Sequence, residues 1–238
     1  MEKNYLNIPK GKRSRPIYRI MPIHRLLEIF NLGKMTLVKP EMWDDPFENW
    51  LLKSYGKTVN GELASFSNLR KSLYGQCWTL YRETDAMWRI YSQDKQGVKV
   101  KTNIDKLFKS LYKSISNSPA VSCFIGKVKY FYIKDLRTRL AKHPILDTTG
   151  RSIAETLLFK RMEFEHEREV RLIYNCHDND KTIEDISQFK INPCELFDEI
   201  VFDPRINEYL FEAYKTVLEK EGYSKPINPA IKFINYAA

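Results

Sequence analysis

The run Glu167-Arg168-Glu169-Val170-Arg171-Leu172 constrains the fold more than any other segment. Glu167, Glu169 and Arg171 stand at every second position, with Val170, Leu172 and Tyr174 on the alternate ones. Residues two apart share one face of a strand. The spacing therefore predicts a strand that projects Glu167, Glu169 and Arg171 together and turns Val170, Leu172 and Tyr174 into a core. Such a row is either a site or the solvated face of a half-exposed antiparallel strand, and periodicity alone does not separate the two.

Similar patterning elsewhere predicts strands at 17–21, 34–38, 76–80, 98–102, 127–133 and 198–202. Helical spacing follows Pro22 through Ile23, Leu26, Leu27 and Phe30 and stops at Gly33. A helix over 83–91 places Met87, Trp88 and Tyr91 on one side. Asn103 caps a helix built on Ile104, Leu107, Phe108 and Leu111, and a further helix is predicted over 150–164. The cleanest amphipathic pattern spans 205–221, where Tyr209, Leu210, Ala213, Val217 and Leu218 form the expected core face. Phosphate-binding loops of the G-x-x-x-x-G-K-[ST] and G-x-G-x-x-G kinds are absent. The expected class is α+β, a mixed and mostly antiparallel sheet with packing helices, as a single domain over 17–238 preceded by a basic arm at 1–16.

No apolar run approaches the ~20 residues that span a bilayer, and Met1-Glu2-Lys3-Asn4-Tyr5 is no signal-peptide start, so a cytoplasmic protein with no membrane partner is expected. Cys77, Cys123, Cys176 and Cys194 form no C-x-x-C pair, and reduced thiols without a metal site are expected. The net charge of +9 favours anionic partners, nucleic acid among them. The excess lies in three regions: Lys10, Lys12, Arg13 and Arg15; then 95–109; then Lys127, Lys129, Lys134, Arg137, Arg139 and Lys142. An ordinary basic enzyme surface has the same composition.

An ordered set of short motifs runs through the chain: Tyr18-Arg19, Asp44-Asp45-Pro46-Phe47-Glu48, Met87-Trp88-x-x-Tyr91, Gly97-Val98, Lys160-x-x-x-Phe164, Glu167-x-Glu169-x-Arg171 and Ile200-Val201-Phe202-Asp203-Pro204-Arg205. Together they resemble a prokaryotic domain-of-unknown-function family with Tyr-Arg, Asn-Asp-Pro-Phe-Glu, Met-Trp-x-x-Tyr and Glu-x-Glu-x-Arg motifs, relatives of which are associated with abortive-infection phage defence. Asp44 stands where that family has Asn. The order of a basic residue on the first strand, an aromatic middle element and a Glu-x-Glu strand is also similar to that of ADP-ribosyltransferases. That resemblance implies NAD as cofactor. It makes Glu169 and Glu167 the catalytic candidates and Arg19, Tyr18, Asp45, Trp88, Tyr91 and Arg171 the cofactor-binding ones. The residue types suit the chemistry. A carboxylate stabilises the positive charge left on a ribose as nicotinamide departs. A guanidinium pairs with pyrophosphate, and an aromatic ring stacks on a base.

Three functions compete on these residues. The first is an NAD-dependent ADP-ribosyltransferase, a toxin or phage-defence effector acting on nucleic acid and held by an antitoxin or regulatory protein. The second is a metal-dependent nuclease using Asp44, Asp45, Glu48, Glu167 and Glu169. The third is a non-catalytic nucleic-acid- or partner-binding module. Each residue also has a plainer role: Arg19 pairing with Glu169 across strands, Trp88 and Tyr91 filling a core, Asp45 fixing a turn. Glu169 is expected to carry the chemistry and Glu167 to face acceptor or solvent, with Glu169→Gln leaving stability little changed.

Overall fold

A computed structural model of the chain describes residues 2–43, 45, 55–57, 63–65, 71–115, 121–143, 149–176 and 184–230. In chain order the strands are β1 (Tyr5–Leu6), β2 (Pro16–Pro22), β3 (Lys34–Val38), β4 (Tyr55–Lys57), β5 (Leu63–Ser65), β6 (Leu73–Thr79), β7 (Gly97–Asn103), β8 (Val121–Lys127), β9 (Lys129–Phe131), β10 (Phe159–Arg161), β11 (Glu169–Cys176), β12 (Ile186–Lys190), β13 (Glu199–Phe202) and β14 (Ile227–Pro229). The helices are α1 (Ile23–Leu32), α2 (Asp85–Tyr91), α3 (Ile104–Ile115), α4 (Ile133–Lys142), α5 (Arg151–Thr156), α6 (Pro193–Leu196) and α7 (Glu208–Lys220).

Ten of the described strands make one sheet in the order β1-β8-β11-β6-β2-β7-β13-β14, with β3 attached to β6 and β12 to β3. Among its described pairs, only β1 with β8 and β13 with β14 run parallel. This is the mostly antiparallel α+β architecture expected from the pattern. The sheet forks at β6. One of its edges meets β2 at the single pair Tyr18↔Thr79 and β3 at the single pair Val38↔Gly75. Between those two pairs the edge of β6 is left open, and a cleft lies there.

Hydrophobic residues sort onto both faces of this sheet. On one face Leu26 and Phe30 of α1, Leu107 and Phe108 of α3, and Phe211 and Leu218 of α7 share one core with Val170, Leu172 and Tyr174 of β11. On the other, Ile153, Leu157 and Leu158 cover Leu73, Phe124 and Ile173. Local signals agree with the packing. Gly33 ends α1 with φ 62° and donates its N–H to Ile29 O, and the Asn103 side chain accepts from Lys106 N at 2.9 Å at the start of α3. No helix among the described residues is long and apolar enough to cross a membrane.

Four expectations are corrected. The segment before residue 16 is not a basic arm throughout: β1 pairs with β8, and the apolar Tyr5, Leu6 and Ile8, which precede Lys10, Lys12, Arg13 and Arg15, are buried. The strand expected over 127–133 is split, since Val128 turns into the second core and α4 starts at Ile133. The helix expected over 150–164 stops at Thr156, where Leu157 and Leu158 fill that core and Phe159–Arg161 pairs with β9. In α7 the buried residues are Phe211 and Leu218, two turns apart, while Tyr209 is 85% and Leu210 39% exposed, and Ala213 and Val217 also face outward. Phe211 sets this rotation by packing edge-on against Phe202, with ring centroids 5.3 Å apart.

Candidate functional site

A cleft of about 480 Å³ opens at the fork. Tyr18, Arg19 and Ile20 of β2 and Cys77, Trp78 and Thr79 of β6 line it, consecutive residues rather than alternate ones. Consecutive lining is expected where neighbouring strands part, because a continuous sheet offers a cleft only every second side chain. Met42, Trp43 and Asp45 close one side, α2 contributes Met87, Ile90 and Tyr91, and the far wall carries Lys160, Phe164, His166, Glu167, Glu169 and Arg171.

The far wall is a compact charge network. Glu169 is 4% and Arg171 1% exposed, so β11 is buried on both faces and presents no solvated row. Arg171 Nε donates to Glu169 Oε2 at 2.6 Å, and its Nη1 donates to Leu157 O at 2.8 Å. Lys160 Nζ donates to Glu169 Oε1 at 2.5 Å and to Glu167 Oε2 at 2.6 Å, bridging the two carboxylates. The Glu169 backbone N–H donates to Tyr130 Oη at 2.7 Å. Glu167 lies off the strand. It ends the 3-10 turn Met162–Glu167, and Arg168 at φ 42° turns the chain into β11. Its carboxylate still reaches the cleft, where Tyr91 Oη donates to it at 3.3 Å.

Environment pushes the two carboxyls apart. Burial raises Glu167, the neighbouring Glu169 raises it further, and Lys160 only partly offsets them, so its pKa is pushed up to about 7. Burial is the largest single influence on Glu169 and acts in the same sense, but Arg171, Glu167 and Lys160 together outweigh it, and the carboxyl is held well below its ordinary range. One carboxylate is thus a fixed negative charge and the other changes protonation near neutral pH, the arrangement by which two like groups take different roles.

Opposite this network stands Arg19, half-buried, with no hydrogen bond or ion pair to any described residue. The expected alternative, a cross-strand pair with Glu169, is not formed, since Arg171 and Lys160 occupy that carboxylate. Burial pulls the Arg19 pKa below its ordinary value. A desolvated guanidinium without a partner facing a cleft is a ready anion site.

Of the sequence candidates, Tyr18, Arg19, Asp45, Tyr91, Glu167, Glu169 and Arg171 meet in this cleft. Trp88 does not: it is 1% exposed, and its indole N–H donates to Glu83 Oε1 at 3.1 Å, so no ring face is free for stacking. Asp45 is held by Arg161, whose Nη2 and Nε lie 3.0 and 3.4 Å from its two oxygens. Asp44, Pro46, Phe47 and Glu48 lie outside the described residues. Among the described residues no three His, Cys, Asp or Glu side chains gather as a cation site.

Two further residues of the cleft, Lys160 and Trp43, stand in or beside the sequence motifs but have no role that spacing assigns. A lysine seven residues before Glu167 shows no periodic link to it; only the parallel pairing of β10 with β9 brings its amine to the carboxylates. Trp43 stacks on the Arg171 guanidinium at 4.3 Å and sits against Gly75, where an added Cβ would fall 2.6 Å from the indole.

A family model described as "Protein of unknown function (DUF2971)" matches residues 87–172. The matched span runs from Met87 on α2 to just past Arg171, and so contains the far wall. Solved structures of Thermus sp. 2.9 DarT are similar to the chain at 12% identity. The complex with NAD+ aligns with TM-score 0.38 over 94% of this chain and 97% of that one. The complex with ADP-ribosylated ssDNA aligns with TM-score 0.41 over 95% and 96%. No curated protein matches the sequence.

Proposed function

We propose that the chain is an NAD-dependent ADP-ribosyltransferase that modifies nucleic acid, acting as a toxin or phage-defence effector. The observation that carries this reading is the pairing, across one cleft, of the Arg19 guanidinium, which has no partner among the described residues, with the buried, ionised Glu169. The cleft volume lies in the range of small-ligand sites. A guanidinium with no partner among the described residues suits a pyrophosphate, which it can hold bidentately without a glycine-rich loop.

NAD supplies an ADP-ribosyl group whose ribose gains positive charge as nicotinamide departs. In this reading Arg19 binds the pyrophosphate. Glu169, fixed by Lys160 and Arg171, presents negative charge to the ribose at no reorganisation cost. Tyr18 and Tyr91 offer ring surface in place of Trp88. Glu167, with its pKa pushed up to about 7, accepts a proton from the attacking group of the acceptor. Exposed Lys127, Lys129, Lys134, Arg137 and Arg139, with Tyr132 67% exposed among them, give an acceptor strand a basic surface at the end of β8, on β9 and on α4. The nuclease reading is less well supported, because the Lys160 amine occupies the space between Glu167 and Glu169 where a cation would bind.

Purified protein incubated with NAD and mixed RNA, DNA and lysate should release nicotinamide, and Arg19→Ala should suppress that release by weakening binding. Absence of nicotinamide release from the wild type under every acceptor condition would sink the proposal. Divalent-metal-dependent cleavage of nucleic acid would replace it with the nuclease.

A further inference from the structure

The sequence motif Asp203-Pro204-Arg205 lies outside the cleft, yet its side chains end on the helix that forms one cleft wall. We propose that Asp203 and Arg205 clamp the C-terminal end of α2 and that Arg205 is a positioning residue for the cleft, acting through Tyr91. The inference rests on the reading above only in taking this cleft as the working site.

Asp203 is fully buried at the end of β13. Arg205 Nε donates to its Oδ1 at 2.9 Å, Nη2 to its Oδ2 at 2.7 Å, and the Arg205 backbone N–H to Oδ1 at 2.8 Å. With its fork fixed in this way, Nη2 also reaches Ser92 O at 2.9 Å and Trp88 O at 3.2 Å. These carbonyls lie at the end of α2, where a helix favours positive charge, and each accepts the guanidinium in addition to a backbone N–H, Trp88 O from Ser92 at 2.9 Å and Ser92 O from Lys95 at 3.1 Å. The loop after α2 is tied to the same point: Ser92 Oγ accepts from Gly97 N at 2.9 Å, and Asp203 N donates to Gly97 O at 3.0 Å.

The helix needs such support. It has seven residues, too few to hold helical form unaided. Thr84 caps its first turn, accepting from Met87 N at 3.2 Å, and Arg205 secures its last. Tyr91 directly precedes Ser92, and its hydroxyl meets Glu167 at 3.3 Å, near the outer limit of a hydrogen bond. A small outward movement of α2 would break that hydrogen bond and shift Met87, Ile90 and Tyr91 together. Lysine cannot replace the guanidinium, because one ammonium cannot grip both Asp203 oxygens and still hold two carbonyls in a planar geometry.

The test uses ligand-free full-length protein with Arg205→Ala and Arg205→Lys, each also in a Tyr91→Phe background. Amide exchange at 88–92 should accelerate by roughly tenfold in Arg205→Ala and less in Arg205→Lys, with β11 amides still protected. The Glu167 titration midpoint, read by carboxyl NMR, should move on loss of Arg205 when Tyr91 is present and stay in place when it is Phe. Unchanged exchange at 88–92, or a midpoint shift independent of Tyr91, overturns the proposal. Should Arg205→Ala fail to fold, Arg205→Lys decides by the same two readouts. A parallel NAD+ titration should show weaker binding in Arg205→Ala than in wild type. Absence of NAD+ binding in every protein, wild type included, counts against the transferase reading and leaves the exchange and titration results to judge the clamp.

Discussion

Arg19 and Glu167 each carry a charge whose cost the rest of the fold does not fully offset, and that cost is measurable. Arg19 has lost water without gaining a described partner. Arg19→Met should therefore raise stability by about 1 kcal/mol, or ~2–4 °C in melting temperature for a domain of this size, while abolishing nucleotide binding. A fall in melting temperature would show that Arg19 is structural. Glu167 gives a pH signature. Its folded pKa is raised to about 7, so between the ordinary carboxylate range and pH 7 the folded protein holds a proton that the unfolded chain has released. Stability should fall as pH rises through that window and level off above it, by on the order of 1–2 kcal/mol. Denaturant melts of Glu167→Gln across the same window should lack this slope. Glu169 has the opposite sign: its pKa is lowered on folding, so its stabilisation is present above the ordinary carboxylate range and disappears only in strong acid. The expectation that Glu169→Gln leaves stability unchanged is accordingly revised. The amide would leave Lys160 and Arg171 buried without their shared anion, and a loss of ~3–5 kcal/mol is expected by denaturant titration.

At the scale of elements, α7 separates pattern from packing. The sequence offers apolar residues over about half the circumference of this helix, and Phe211 decides which part of that stripe turns inward. Phe211→Ala should cost ~3–5 kcal/mol by leaving a cavity against Phe202, whereas Leu210→Asp should lie within ~0.5 kcal/mol of wild type. The reverse result in thermal melts would show the helix rotated by about a third of a turn. The strand β11 gives the complementary lesson. Its alternation was legible, and Val170, Leu172 and Tyr174 do face the larger core. Periodicity could not reveal that α5 and the turn after it cover the other face as well, so that Glu169 and Arg171 are buried rather than solvated.

Across the whole molecule, exposed basic residues gather at the end of β8, on β9 and on α4. Nucleic-acid binding there should weaken steeply with salt as bound phosphates release counterions. Replacing Lys127, Lys129 and Lys134 together by Gln should flatten the log–log slope by about one unit for each phosphate no longer neutralised. Oligonucleotide titrations that are weak and insensitive to salt would make the +9 charge an incidental surface property.

The sequence by itself determined the α+β class, the bounds of most central strands, the caps at Gly33 and Asn103, and the residue types that meet at the cleft. These are local matters: period, turn chemistry and capping act within a few residues. Only the tertiary structure decided that β6 forks, that Lys160 bridges Glu167 and Glu169, that Arg19 stands without a described partner, and that Trp88 is sealed inside rather than open to a ligand. Each of these depends on which distant strands become neighbours. Burial and pairing of a charge are set by the groups brought around it, and no spacing along the chain encodes them.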